Sequence, residues 1–402
     1  MPVTFQKNVT EITERDIAGL ITNQVRENLN LEYKEAMYSR GDEDTREMLR
    51  DITSIANAQG GHILIGIKED DQNEGIPTEL KGVDEPETVS SRMTSSCLSN
   101  IDERIPGLQI HPVPLSNGKH IILIRIPKSP KAPHMVTFKG LNQFWKRHDR
   151  QKSRMSAAEI KEACNATEQL MIKMEQFLER RKENVLKNAS GKPLYLISTT
   201  PYFLGDDLID IYDQNIRALI THPPDQRTGG RTVECSSLVM PSLNGLISEY
   251  TGYKSLEMFR NGHCEFKVNI ERPSSGFICN YVDPKSQKGP ILRSLNVVEY
   301  VVSFLGFYKK VYEYLSIIEP VVISVKLLNI KGYGLYRFRS GEEDIDPPVI
   351  WHDEHLEIPQ QAISFFESRD KIAGILCDRI WNAFNYEKAP YFDEDGHFIP
   401  PN

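Results

Sequence analysis

The chain has 402 residues, of which 39% are hydrophobic and 26% are charged, and its formal net charge is −8 at pH 7. This composition is typical of ordinary globular proteins, and the length accommodates two or three domains. No apolar run reaches the about 20 residues that a membrane-spanning helix needs, and the first residues lack the apolar centre of a signal peptide. We therefore expect a cytoplasmic protein without a membrane partner.

Several common site types have no support in the sequence. The six cysteines lie far apart without a Cys-x2-Cys pair, so we expect neither a disulfide scaffold nor a structural zinc site. His352 and His355 form a close pair, but no third ligand is evident, which disfavours a zinc hydrolase. The sequence has no Walker loop, so we expect no ATP site. A net negative charge disfavours nucleic-acid binding by the whole surface but leaves local basic patches open.

The first 155 residues alternate between helical and strand patterns. Thr13 and Asp16 resemble a capping pair at the start of the first helix. The serine-asparagine-glycine turn at 116–118 predicts a hairpin between its flanking strands. The predicted helices are 13–26, 44–58 and 87–105, and the predicted strands are 29–34, 63–68, 108–113, 120–127 and 141–149. This alternation predicts a mixed α+β domain.

The most informative stretch is residues 54–70. Its helix runs into Gly60 and Gly61, which favour a left-handed turn, and an apolar run then predicts a buried strand. Glu69 and Asp70 follow where that strand ends. In the 29–34 strand, Glu32 and Lys34 share one face because side chains alternate. Carboxylates from separate elements can therefore converge.

These residues resemble a known family. The pattern Glu-x4-Glu-Tyr-Lys from Glu27 to Lys34, followed by Ala-Asn-Ala-Gln-Gly-Gly and then His-Ile-Leu-Ile-Gly-Ile-Lys-Glu, resembles the Schlafen-type domain, a divergent Alba-like nucleic-acid-binding domain. The resemblance covers roughly residues 20–165. It does not extend into the C-terminal half, for which we identify no family, and the His/Cys zinc site that Schlafen proteins often carry has no evident counterpart.

The resemblance implies a metal-dependent endoribonuclease that acts on structured RNA, with tRNA as the first candidate and stress or antiviral defence as the setting. By position, Glu27, Glu32 and Glu69 would hold Mg²⁺ or Mn²⁺, with Asp70 as an alternative to Glu69. Carboxylate oxygens suit these cations, which polarise phosphate and position water. Lys34 would contact the phosphate.

Two other interpretations of the same residues remain open. The acids can be solvated surface groups, since a chain with 56 Asp and Glu residues contains many chance trios. The domain can also be a non-catalytic DNA- or RNA-binding regulator coupled to a C-terminal sensor. Cleavage of tRNA that depends on Mn²⁺ would separate the nuclease from the regulator.

A basic segment follows Phe144 and Trp145. Between residues 128 and 154 the chain has a single acid, Asp149. Aromatic side chains beside cations recur at nucleic-acid sites, where they stack on bases while the cations contact phosphates. The alternative is a solvated strand end and loop. The residues that we expect to bind nucleic acid are Lys146, Arg147, Arg150, Lys152 and Arg154.

The second half predicts a separate domain of α+β class. The pattern predicts a linking helix over 156–188, which separates a Schlafen-like domain at 1–155 from a regulatory or sensing domain at 189–402. The predicted elements of this half are strands at 194–197, 208–221, 238–240, 253–260, 264–270 and 321–328, a hairpin through 332–339, and helices at 294–317 and 362–386.

We also expect self-association. Schlafen cores pair two related lobes, whereas this chain shows one, so a homodimer or a larger even-numbered oligomer would double the number of contacts to RNA. The candidate interfaces are the apolar helix 294–317 and the long helix 156–185. The alternative is that each helix is buried inside its own subunit.

Overall fold

The computed structural model describes residues 5, 9–70, 72, 75–204, 207–224, 230–250, 252–272, 278–280, 290–315, 317, 319–336, 349–363 and 368–399. Helices and strands are both abundant in this part, which confirms the α+β class. The chain divides into two compact units, Met1–Lys173 with Ser316–Glu319, and Met174–Leu315 with Pro320–Asn402. The division falls inside one long helix, Ala157–Ala189. The domain limits at 155 and 188 stay predictions.

In the described residues, the N-terminal unit is built from short strands and three α-helices of its own, besides the first half of the long helix. Its helices are α1 Glu14–Thr22, α2 Asp42–Ala56 and α3 Pro86–Asn100, and the long helix is α4 Ala157–Ala189. Its strands are β1 Leu31–Lys34, β2 Gly61–Ile65, β3 Ile67–Glu69, β4 Pro77–Leu80, β5 Ile101–Asp102, β6 Gln109–Pro114, β7 His120–Ile126, β8 Met135–Val136, β9 Gln143–His148 and β10 Gln151–Arg154.

The central sheet has the order β1-β2-β7-β6, with β1 parallel to β2 and the other pairs antiparallel. Every residue of β2 is buried. Ile63 packs with Ile52 and Ile55 of α2, whereas Leu64 packs with Ile17 of α1. Because successive side chains point to opposite faces and all those of β2 are buried, both faces of the sheet are covered.

Asn57, the residue that follows α2, holds β8 and β9 in place. Asn57 donates through its side-chain amide to the carbonyls of His134 and Trp145, both at 2.9 Å, and accepts from the His134 amide at 2.6 Å. Gly61 has φ +155°, and a Cβ there would lie 2.2 Å from the Asn30 carbonyl oxygen. Gly60 has φ +72°, which confirms the predicted left-handed turn. The two glycines therefore allow β2 to lie close to the segment before β1.

A second sheet of order β10-β9-β8-β5 carries the basic segment. The pairing of β9 with β10 is antiparallel, and it places Lys152 opposite Arg147 and Arg154 opposite Trp145. The guanidinium carbon of Arg50, on α2, lies 4.9 Å from the centre of the Trp145 ring. Since opposed residues share a face, Trp145, Arg147, Lys152 and Arg154 lie on one face of this ribbon, and Lys146 lies on the other.

The C-terminal unit combines one large sheet with helices that pack on it. Its helices are α5 Gln214–Thr221, α6 Ser294–Tyr314 and α7 Arg369–Ala383. Its strands are β11 Leu194–Pro201, β12 Met240–Pro241, β13 Gly245–Tyr250, β14 Lys254–Phe259, β15 Cys264–Asn269, β16 Ile278–Asn280, β17 Pro290–Arg293, β18 Val321–Leu328, β19 Gly334–Tyr336, β20 Leu356–Glu357 and β21 Gln361–Ile363.

The large sheet has the order β12-β13-β14-β15-β11-β18-β20, and β21 also pairs with β18. The central helix α6 is buried along most of its length by its own unit, including Val297, Phe304 and Tyr308. The hydroxyl of Tyr195 on β11 donates to the Val297 carbonyl at 3.1 Å. This helix is therefore largely core, which leaves little of it for the predicted contact between copies.

One predicted element of this unit is wrong. The strand expected over 208–221 contains helix α5 instead, where Asp213 accepts from the Asn215 amide at 2.8 Å and caps the helix. Ile216 and Ile220, four residues apart, form its buried face. The hairpin expected over 332–339 lies partly outside the described residues and stays a prediction; its described part contains β19, which pairs in parallel with β17. Residues 337–339, and residues 364–367 of the predicted last helix, lie outside the described residues.

None of the helices in the described part is both long and apolar enough to cross a membrane.

Candidate functional site

A charged cluster surrounds the Glu-x4-Glu-Tyr-Lys pattern from Glu27 to Lys34 in the N-terminal unit. Its acids come from the segment before β1, from β1 itself, from α2 and from β3, and its cations come from β1 and from the β9–β10 ribbon. The cluster consists of Glu27, Glu32, Lys34, Asp51, Glu69, Arg147, Arg150 and Lys152.

Glu32 and Arg147 form the buried ion pair of the cluster. Glu32 is 7% exposed and Arg147 is 2% exposed. The Nη1 atom of Arg147 donates to Glu32 Oε2, and its Nε atom donates to the carbonyls of Asn28 at 3.2 Å and Asp149 at 3.0 Å. Lys34 binds the other oxygen of Glu32 at 2.7 Å, so the predicted shared face of Glu32 and Lys34 is confirmed. Arg147 serves to hold Glu32 and is not available on the surface for phosphate.

Glu27 lies in the segment before β1, where two backbone contacts fix it. Its Oε1 accepts from the Tyr33 amide at 2.7 Å, and its own amide donates to the Gly75 carbonyl at 2.8 Å. The Nε atom of Arg150 lies 3.8 Å from Glu27 Oε2. A Cβ at Gly75 would lie 2.9 Å from Nη2 of Arg150, so glycine at this position leaves room for the guanidinium.

Glu69 is the acid that lies next to Glu27. Burial raises the pKa of Glu69, and the charge of Glu27 raises it further, while the Gly75 amide, Lys34 and Arg150 lower it. The Gly75 amide donates to Glu69 Oε2 at 2.7 Å. Asp70 instead accepts from the Gln72 amide at 2.7 Å. Of the two alternatives for the third carboxylate, Glu69 is therefore the one that Glu27 influences.

Asp51 is a member of the cluster that the sequence did not single out. It lies on α2, is fully buried, and accepts from the Tyr38 hydroxyl at 2.6 Å. Lys152 pairs with Asp51 and with Glu47, and the ammonium group of Lys34 lies 3.6 Å from Asp51. Burial of the phenol, followed by the charge of Asp51, raises the pKa of Tyr38. The signal in the sequence was a carboxylate between Leu49 and Ile52 on a helix face that is otherwise apolar.

The expected metal ligands do not form a complete set in this arrangement. Within the described part of the chain, no group of three or more His, Cys, Asp or Glu side chains is placed to hold a metal ion. Glu32 is neutralised by Arg147 and Lys34, and Glu27 has Arg150 beside it. Glu27 and Glu69 are the neighbouring acids that would bind a divalent cation. The Mg²⁺ or Mn²⁺ site stays a prediction.

The ribbon separates its cations into two groups. Arg147, Arg150 and Lys152 lie in the charged cluster, next to carboxylates. Arg154 is exposed and Lys146 is partly exposed, and neither forms an ion pair with any residue of the described ranges. Of the five predicted contacts to nucleic acid, Lys146 and Arg154 are the two that remain free to meet a phosphate.

Residues 27–156 match the family model described as Schlafen, AlbA_2. This match confirms the resemblance: the N-terminal part of the chain carries a Schlafen-type domain, and that family indicates nucleic-acid binding. Comparison with curated proteins finds no match.

Two solved structures are similar to part of the chain. One is the DIP2311 protein from Corynebacterium diphtheriae, with 16% identity and a TM-score of 0.24 over 36% of this chain and 30% of that chain. The other is the N-terminal domain of a protein from Nitrosomonas europaea named as related to the ATP-dependent DNA helicase RecG, with 16% identity and a TM-score of 0.27 over 36% of this chain and 93% of that domain.

Proposed function

We propose that the Schlafen-type domain binds structured RNA through Lys146 and Arg154, the two cations of the β9–β10 ribbon that reach solvent without an ion-pair partner in the described part. The observation that carries the proposal is the division of charge in that ribbon. Three cations are neutralised by carboxylates of the same unit, whereas Lys146 and Arg154 have no ion-pair partner in the described part. Side chains of neighbouring positions project from opposite faces, so a two-stranded ribbon presents charge on both sides.

Reversing these two charges tests the proposal. We expect the Lys146→Glu, Arg154→Glu variant to bind a structured RNA at least about tenfold more weakly than the unchanged protein, because two phosphate contacts are replaced by repulsion. The plot of log affinity against log salt concentration should also become shallower by about 1.5–2, as each lost contact releases one counterion fewer. Fluorescence anisotropy over a salt series measures both quantities.

A matched control has the same change in net charge at another place. Lys161 and Lys173 are exposed on α4, and Lys161→Glu with Lys173→Glu adds as many negative charges as the ribbon variant. If both variants lose affinity equally, a general charge effect explains the loss and the ribbon has no special role. Reversing Arg147 and Arg150 is less informative, because these side chains compensate Glu32 and Glu27.

The second candidate is a metal-dependent endoribonuclease, with tRNA as the first substrate to examine. It is favoured by the neighbouring acids Glu27 and Glu69, since the pKa of Glu69 is raised by burial and then by the charge of Glu27. Bound Mg²⁺ or Mn²⁺ would stabilise the charge on a scissile phosphate. Glu27 and Glu69 would hold the ion, with Glu32 or Asp70 as further ligands. Lys34 would orient the phosphate, and Arg150 would have to leave Glu27.

The metal proposal predicts that acid replacement separates cleavage from binding. We expect Glu27→Gln with Glu69→Gln to abolish Mn²⁺-dependent cleavage of total tRNA and to weaken Mn²⁺ binding in calorimetry, while RNA affinity is kept. Glu79→Gln, an exposed acid on β4, is the control and should leave both signals unchanged. If Mn²⁺ binding is the same in all three proteins, these acids do not form the site. Glu32→Ala is a poor test because it leaves Arg147 buried without its carboxylate.

The remaining functional predictions concern the rest of the chain and its assembly. A regulatory or sensing role for residues 189–402 and a homodimer both stay proposals. For the dimer, α6 is covered by its own unit, whereas Met171 and Ile172 of α4 are exposed. The helix α4 is therefore the better-supported of the two predicted interfaces.

A further inference from the structure

Arg150 brings a positive charge to the two neighbouring acids Glu27 and Glu69. Its Nε atom lies 3.8 Å from Glu27 Oε2. Gly75 links the two acids, because its amide donates to Glu69 Oε2 at 2.7 Å and its carbonyl accepts from the Glu27 amide at 2.8 Å. Both carboxylates and the guanidinium therefore meet around the backbone of one glycine.

The guanidinium of Arg150 covers this glycine. A Cβ at Gly75 would lie 2.9 Å from Nη2, 3.0 Å from Cζ and 3.1 Å from Nε of Arg150. Because three atoms of a planar group lie at nearly equal distances, the flat face of the guanidinium rests on the glycine. Gly75 also has φ +84°, a conformation that favours glycine. The glycine therefore provides the space that Arg150 fills.

Arg150 is held less firmly than the other arginine of the cluster. The side chain of Arg147 is 1% exposed, and its Nε atom donates to two backbone carbonyls at 3.0 and 3.2 Å. The side chain of Arg150 is 30% exposed, and its 3.8 Å distance to Glu27 is longer than a hydrogen bond. Arg150 also lies in the turn between β9 and β10. Arg147 is therefore a fixed part of the unit, whereas Arg150 can move away from the acids without disrupting the core.

A guanidinium in this position competes with a divalent cation for the same oxygen. Mg²⁺ and Mn²⁺ take carboxylate oxygens as ligands. Glu27 Oε1 already accepts from the Tyr33 amide, and Glu69 Oε2 accepts from the Gly75 amide. Glu27 Oε2 is the oxygen that Arg150 approaches. A metal ion that binds this oxygen would lie close to the guanidinium, and like charges repel.

We propose that Arg150 keeps divalent cations away from Glu27 and Glu69 in the resting protein, so that these acids become a metal site only after the arginine has moved. The proposal rests on the second candidate function, because it concerns the regulation of the same acids. It adds an autoinhibitory contact that the Glu-x4-Glu pattern does not indicate, since Arg150 lies in a distant part of the sequence.

Calorimetric titration of the full chain with Mn²⁺, without RNA, tests the proposal. We expect Arg150→Gln to bind Mn²⁺ at least about tenfold more tightly than the unchanged protein, because both the competition for Glu27 and the repulsion are removed. Arg150→Lys keeps a positive charge and should bind Mn²⁺ about as weakly as the unchanged protein. Arg15→Gln removes an exposed arginine from α1 and is the control for net charge, so it should leave Mn²⁺ affinity unchanged.

Two further measurements keep the result decisive. Adding Glu27→Gln and Glu69→Gln to Arg150→Gln should remove the gain in affinity. If Arg150→Gln is unstable because its acids repel each other, Mn²⁺ should raise its unfolding temperature more than that of the unchanged protein, since a ligand that binds the folded state stabilises it. Three results would overturn the proposal: equal Mn²⁺ affinity and equal thermal shift in Arg150→Gln and the unchanged protein, a gain of the same size in Arg150→Lys or Arg15→Gln, or a gain that survives the loss of both acids.

The nuclease proposal is tested separately, by cleavage of tRNA, which this titration does not measure. If neither the unchanged protein nor Arg150→Gln cleaves tRNA while the variant alone binds Mn²⁺ tightly, the nuclease proposal is wrong and the role of Arg150 is supported.

Discussion

Replacement of Arg147 with methionine is expected to lower the free energy of unfolding of the N-terminal unit by about 3–5 kcal/mol, which is the usual cost of removing one partner of a buried ion pair. Arg147 is 2% exposed and holds Glu32 together with the carbonyls of Asn28 and Asp149. Methionine keeps much of the side-chain volume but donates no hydrogen bonds. Chemical denaturation, with hydrogen exchange of the β1 and β2 amides to assign the transition to this unit, measures the loss.

Two comparisons test whether the loss of stability arises because the Glu32 carboxylate is left buried without its arginine partner. Arg154→Met removes an exposed arginine from the same ribbon and should change stability by less than about 1 kcal/mol. Adding Glu32→Gln to Arg147→Met removes the uncompensated charge and should restore part of the stability, since apolar or neutral replacements of whole buried pairs are often tolerated. A loss for Arg147→Met no larger than that for Arg154→Met would contradict the buried-pair assignment.

The local features of the N-terminal unit are largely predictable because they arise from short-range patterns. The alternation around Glu32 predicted β1, and the apolar run after Gly61 predicted a buried strand. The strand expected over 63–68 is divided by Gly66, whose φ is +103°. A Cβ at Gly66 would lie 2.9 Å from the Cα of Gly82, so a contact distant in the sequence fixes this break.

The pairing within the charged cluster is not predictable in the same way. Arg147 and Glu32 are 115 positions apart, and Lys152 and Asp51 are 101 apart. Composition shows acids in one segment and cations in another, but only the fold brings the ribbon against β1 and α2. A basic segment that looks like a phosphate-binding patch therefore supplies three of its cations to carboxylates of the same unit.

This internal pairing has a consequence for function. A metal ion that binds Glu27 or Glu32 must displace a protein cation, and a phosphate that binds one of the paired cations of the ribbon must displace a carboxylate. Either displacement costs part of the binding energy that the ligand brings. Binding through Lys146 and Arg154 carries no such cost. RNA binding through these two cations is therefore the better-supported of the two proposals. Cleavage would require a rearrangement of Arg150 in addition.

The second large effect is expected in the C-terminal unit, where Glu265 lies in a buried network. Glu265 is 1% exposed, its Oε2 lies 2.9 Å from Nε2 of His263, and its Oε1 lies 3.1 Å from Nη2 of Arg181. Nδ1 of His263 lies 2.8 Å from the Thr200 hydroxyl. Burial alone would raise the pKa of Glu265, but the hydrogen bonds and charges of His263 and Arg181 lower it to about 2.

This lowered pKa makes the stability of the unit depend on pH. A carboxylate with a lower pKa in the folded than in the unfolded state stabilises the fold above its unfolded pKa, and that contribution is lost as the pH falls towards the folded value. The fall in the pKa of Glu265 from the ordinary 4.5 to about 2 corresponds to about 3 kcal/mol. The contribution is therefore complete above pH 5 and disappears between about pH 4.5 and 2.

We expect Glu265→Gln to lower the free energy of unfolding at pH 7 by at least about 3 kcal/mol, because Arg181 also loses its charged partner. The difference between the unchanged protein and the variant should shrink by about 3 kcal/mol as the pH is lowered to 2, since the carboxylate is then protonated in the unfolded state and about half protonated in the folded state. Denaturation curves at several pH values measure this difference. Glu313→Gln, which removes an exposed ion pair with Lys310, should cost less than about 1 kcal/mol at every pH. A difference for Glu265→Gln that is the same at pH 7 and pH 2.5 would show that hydrogen bonding, and not the charge of Glu265, stabilises this network.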